Sequence, residues 1–207
     1  VPAAAGIAAR RALPIGVLAA AVPTVASLVA LAAWRPSSLW PLHGAGLALV
    51  LGVSAWCSDE RLAPLVDATP RCRPFAVRIR LLGPAALAVV WVGMHLLRRS
   101  ALPPHLLVLC GQGLAAALVG VAIGSRARAS GSAEGGARAA LVVVPVLVGW
   151  ALARPWSDHL PVFPVWPWEA WGRAAVLWGA AAVVAASTLA AEGRWLDRPS
   201  VRRAPRT

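Results

Sequence analysis

Six apolar stretches divide the chain and constrain it more than any motif does: Leu13–Trp34, Trp40–Cys57, Leu81–Leu97, Leu106–Gly124, Ala139–Ala153 (extendable to Trp156) and Ala174–Ala191. At about 1.5 Å per residue, roughly 20 residues cross the ~30 Å hydrocarbon core of a bilayer. The first, second and fourth stretches match that length. The third and fifth are shorter, the sixth is as long as the second, and Arg80, Arg98, Arg154, Arg173 and Arg194 flank these three. Long cationic side chains at such positions reach the headgroups and relieve the mismatch. Charged residues make up 14% of the 207 and hydrophobic ones 59%, against about 25% charged in a soluble domain. A soluble globular domain is therefore excluded, and so is disorder, which requires few apolar residues. The expected fold is all-α: one polytopic membrane domain over residues 1–207, with six transmembrane helices, in the cell membrane.

Arginine placement orients the helices, because basic residues concentrate on the cytoplasmic side. With the N-terminus inside, fifteen of the twenty basic residues fall in cytoplasmic segments, and Arg35, Arg98, Arg99, Arg154 and Arg173 lie outside. Both termini are thus expected in the cytoplasm. Tryptophan agrees: Trp34, Trp40, Trp150, Trp156, Trp166, Trp168 and Trp171 map near the outer boundary, where an indole keeps its ring in lipid and its N–H near water. Arg10 and Arg11 precede the first stretch, but its apolar run exceeds the 7–15 residues of a signal-peptide core, so it reads as a retained helix.

All the basic residues are arginine; lysine is absent. A P-loop lysine, a Schiff-base lysine and a lysine base are therefore excluded. The arginines sit between apolar runs, which makes their partner the membrane surface and not nucleic acid. Cys57, Cys72 and Cys110 fit no zinc or redox spacing, and Cys110, inside an apolar run, reads as a small buried thiol.

Two connections stand out. The cytoplasmic segment 59–80 begins with acids and contains Leu62, Leu65 and Val66 on one helical face before turning basic. It reads as a short amphipathic helix, limited by Pro64 and Pro70, that could seat in a partner's groove. The outer segment 154–173 carries Pro161, Pro164 and Pro167 among aromatic residues. The prolines block a continuous helix and the apolar side chains oppose exposure, so the segment is expected to fold onto or back into the outer leaflet, covered by protein. The segment 125–138 reads as a flexible Gly/Ser/Ala linker, and 192–207 as a basic tail along anionic headgroups.

No Asp or Glu stands mid-span, which disfavours proton- or sodium-coupled transport, and no catalytic pair is evident; the chain is expected not to be an enzyme and to carry no cofactor. His43, His95, His105 and His159 all map to the outer side. Interfacial histidines without a ligand are the ordinary reading. Convergence on a metal or haem is the alternative, and Val165–Gly172 resembles, with a different residue order, the tryptophan-rich motif of haem-handling proteins of cytochrome c maturation.

The layout as a whole resembles the membrane subunit of six-helix ABC-type exporters. Asp59–Pro70 lies where that family has a coupling helix, and the sequence from Asp59 through Pro70 into the following arginines looks like loops in actinobacterial members. Leu160–Trp171 lies where that family has re-entrant outer helices. The resemblance implies an ATPase subunit on a separate chain, with ATP and Mg bound there, docked on Asp59, Glu60, Arg61, Leu62, Leu65, Val66 and Asp67. It implies a second membrane subunit, identical or related, enclosing the path. It assigns Phe163, Trp166, Trp168, Glu169 and Trp171 to the outer re-entrant loop. A non-catalytic scaffold, assembly or immunity subunit is the reading from another class.

Overall fold

A computed structural model describes residues 14–35, 39–59, 73–101, 105–130, 132, 134–154, 159–164 and 171–196; of 73–79 and 193–196 it describes only the helical backbone. Six helices account for most of them: α1 (Ile15–Trp34), α2 (Leu39–Trp56), α3 (Arg73–Leu97), α4 (Leu106–Ala129), α5 (Gly135–Ala153) and α6 (Trp171–Leu196). No described residue lies in a strand. Each helix is long and apolar enough to cross a membrane. The shortest, α2 with 18 residues, spans about 27 Å. The expected all-α, six-span architecture is the observed one, and the chain is a multi-pass membrane protein.

Helix α2 is the axis of the bundle. In its most apolar stretch 67% of the residues are buried, against 17% in α5 and in α6. It packs against α1, α3, α4 and α5, whereas α6 packs on α4. Lipid tails are as apolar as leucine, so burial of side chains alone does not draw helices together in a membrane; close packing does. Small residues supply it. At Gly120 of α4 a Cβ would fall on the Leu51 carbonyl and the Ser54 side chain of α2, so only glycine lets the two backbones meet there. Val25, Leu47, Val50, Leu87, Trp91 and Ala116 fill the centre. A smaller cluster of Ala32, Ala33, Leu39, Leu109 and Trp171 closes the end where α1 stops and α2, α4 and α6 begin. Val89, Leu107, Leu141 and Val176, each at least 70% exposed, form the surface a bilayer covers.

Two boundaries depart from the sequence reading. Residues 73–80, expected in a loop, form the first two turns of α3. Pro74 stands in the first turn, where no helical hydrogen bond is lost. The linker expected at 125–138 shrinks, because α4 runs on to Ala129 and α5 starts at Gly135. Arg126 and Arg128 occupy the last turn of α4, where positive charge favours the C-terminal end of the helix dipole, and Ser130 Oγ donates to the Ala127 carbonyl at 2.6 Å. Helix α5 stops at Ala153, the nearer of the two ends expected, where Arg154 adopts a left-handed conformation with φ 47°; Trp156 lies outside the described residues. Cys110, expected to be buried, is half-buried; Cys57 is fully buried.

Candidate functional site

Polar side chains are rare inside this bundle, and four of its buried ring and amide groups meet at one place. His43 of α2, Trp91 and His95 of α3, and Gln112 of α4 are each at most 5% exposed. Trp91 anchors the group. Its indole Nε1–H donates to the Leu109 carbonyl of α4 at 2.8 Å, and its ring lies over Gly113, where a Cβ would collide with it. The absence of a side chain at 113 is what seats the indole on the α4 backbone. His95 Nδ1–H donates to the Trp91 carbonyl one turn earlier, at 2.8 Å. Its ring packs on the indole, centroids 4.7 Å apart, and stands edge-on to His43 at 5.9 Å. His43 Nε2 is hydrogen-bonded to Gln112 Oε1 at 2.8 Å, joining α2 to α4. The Gln112 amide nitrogen is buried without a partner.

This arrangement brings together two of the four sequence-predicted histidines and separates the others. His105 stacks on Trp171 at the start of α6, ring centroids 4.8 Å apart, and His159 is exposed. Convergence of all four on a metal is therefore not what the fold builds, and the described residues contain no group of three or more His, Cys, Asp or Glu able to hold an ion. The sequence reading does not single out Gln112 or Trp91. A signal exists for the first: Gln112 is the only carboxamide side chain in the chain, and a polar residue inside an apolar span is costly unless it has a role.

At the opposite end of α2, Asp59 closes a second polar contact. Its two carboxylate oxygens accept the backbone N–H groups of Gly136 and Ala137, at 2.7 and 2.6 Å. These are among the orphan donors of the first turn of α5, which a carboxylate satisfies and whose positive dipole end it favours. The root of the α2–α3 connection is thereby fastened to the start of α5. Of the predicted docking residues Asp59 is described; Glu60, Arg61, Leu62, Leu65, Val66 and Asp67 lie outside the described residues.

Part of the aromatic connection between α5 and α6 folds back on the bundle. Phe163 is 3% exposed, faces Gly44 of α2 and packs near Trp178 of α6. Trp178 Nε1–H donates to the Val162 carbonyl at 3.0 Å, pinning the segment to α6. Trp171 is buried as the first residue of α6. Trp166, Trp168 and Glu169 lie outside the described residues. Arg154, which turns the chain out of α5, places its guanidinium over the Trp40 ring at 5.7 Å, a cation–π contact linking the ends of α5 and α2.

Compared with protein-family models, curated proteins and solved structures, the chain matches none. Its chemistry is read from its own geometry. The buried cluster offers ring nitrogens and an amide but no carboxylate, and the carboxylate of Asp59 is committed to helix N–H groups.

Proposed function

We propose that this chain is the membrane subunit of an ABC-type exporter in the cell membrane, paired with a second membrane subunit and driven by an ATPase on a separate polypeptide that docks on the α2–α3 connection. The chain itself performs no catalysis in this reading, and ATP and Mg belong to the partner. The observation that supports it best is the Asp59 clamp. A connection that receives a push must be mechanically tied to the helices it moves, and Asp59 ties the start of this one to both α2, the most buried helix, and α5. The amphipathic face of Leu62, Leu65 and Val66 supplies the docking surface, and the absence of lysine from the chain agrees with an engine on another subunit.

Affinity purification from native membranes in mild detergent tests the reading. An ATPase subunit is expected to copurify in a fixed ratio, and Leu62→Asp or Leu65→Asp is expected to release it while membrane insertion persists. Absence of any ATPase from the wild-type preparation, or its retention by both variants, overturns the assignment.

A further inference from the structure

Helices α4 and α6 do not close along their whole contact. Between them lies a cavity of about 380 Å³. Gly111 and Ala115 of α4 and Ala175 and Gly179 of α6 line it. Stripes of small residues ordinarily let helices touch, yet a Cβ placed on Gly111 or on Gly179 would meet nothing within 4 Å. The space is thus left open by the packing. Leu107 and Leu114, which also line it, are 88% and 52% exposed on the bundle surface, so an occupant enters from the lipid.

The two polar side chains in the lining are Trp178 and Gln112. The Trp178 N–H is engaged by the Val162 carbonyl. Gln112 borders the cavity but is 1% exposed, holds His43 through Oε1, and has an amide nitrogen that is covered and without a partner, so a turn of the carboxamide is what presents it to an occupant. A buried donor left unmade is costly in apolar surroundings. Interchanging the amide oxygen and nitrogen moves the orphan to the oxygen and does not remove it, since His43 Nε2 can bond only one of them. A hydroxyl both donates and accepts and so satisfies either arrangement. No charged side chain lines the cavity, which disfavours an ionic occupant. Gln112 lies six residues into α4, about 9 Å along its axis.

We propose that the α4–α6 cleft is a binding site for an uncharged, lipid-dissolved molecule whose hydroxyl pairs with the Gln112 amide while its apolar body fills the space beside Gly111 and Gly179. The site rests on cavity and orphan amide alone and stands whether or not an ATPase docks on the chain. The full chain in phosphatidylcholine nanodiscs, photolabelled with a diazirine-bearing fatty alcohol and mapped by mass spectrometry, provides the test. Adducts are expected within residues 107–118 and 175–182. Dodecanol is expected to compete about fivefold better than dodecane, the worth of one net hydrogen bond. Gln112→Leu is expected to abolish that preference. Gly179→Leu sets its Cβ in open space and is expected to abolish labelling while thermal stability is kept, which guards against misfolding of the first variant. Equal competition by dodecane, equal labelling of the lipid-facing side of α5 at Leu141 and Val146, or unchanged labelling of Gly179→Leu overturns the proposal.

Discussion

The Asp59 carboxylate at the foot of α2 accepts the Gly136 amide N–H of α5 at 2.7 Å, across a separation of 77 residues. With the matching bond to Ala137 at 2.6 Å, it makes one side chain the cap of a helix to which it does not belong. The arrangement joins the two chain reversals on that side of the bundle. It is a cross-helix polar contact in a structure otherwise built largely of Ala, Val, Leu and Gly.

Loss of this cap has a definite cost. Asp59→Ala is expected to destabilise the protein by about 1–2 kcal/mol, the upper part of the range for removing a capping side chain, because two charge-assisted bonds are lost. Asp59→Asn, which retains an acceptor oxygen, is expected to lose less. Thermal unfolding in detergent, together with faster amide exchange confined to the first turn of α5, is the measurement.

The His43–Gln112 bond is testable by a double-mutant cycle. His43→Leu and Gln112→Leu each strand a buried polar partner and are each expected to cost about 1–3 kcal/mol. The double variant strands neither and is expected to be less destabilised than the sum of the two by about 1 kcal/mol or more. Strict additivity in denaturation midpoints would show that the bond does not form.

Glycine positions divide by what surrounds them. Gly113→Ala drives a Cβ into the Trp91 ring and is expected to cost about 1–3 kcal/mol through overpacking, with a shift in Trp91 emission. Gly149, in the body of α5, has nothing within 4 Å of its missing Cβ; Gly149→Ala is expected to stabilise by roughly 0.5–1 kcal/mol through helix propensity. Opposite signs in paired melting curves are the expected outcome.

Sidedness is open to chemical labelling. Ser132→Cys, in the α4–α5 connection, is expected to react with a membrane-impermeant maleimide from the cytoplasmic face, and His159→Cys, which replaces an exposed residue, from the outside, both in a Cys-free background. The reverse pattern would invert the orientation inferred from arginine placement.

What could be read in the chain before folding was the set of properties carried by runs of residues. Segment length and apolarity are local sums, and a bilayer responds to them directly; hence the six spans of Leu13–Trp34 through Ala174–Ala191 found their helices α1 to α6. Boundaries shifted where local polarity misled: Arg78 and Arg80 look like loop, yet the backbone of a helix continues past the hydrocarbon for as long as its carbonyls and amides are best satisfied by one another. The same local reading expected all four histidines near one end of the bundle, and of the aromatic residues of 154–173 it set against protein, Phe163 and Trp171 are buried.

Only the tertiary structure decided which of those residues meet. Spacing couples only Trp91 to His95, four residues apart on α3; nothing in it joins that pair to His43 or Gln112, because the relative rotation of the three helices is set by close approach at residues such as Gly113 and Gly120. Rotation of a helix about its axis leaves its hydropathy unchanged while it exchanges every neighbour. For that reason the buried polar cluster, the pairing of Asp59 with α5 and the open cleft beside Gln112 belong to the packing, whereas the number and apolar character of the spans belong to the sequence.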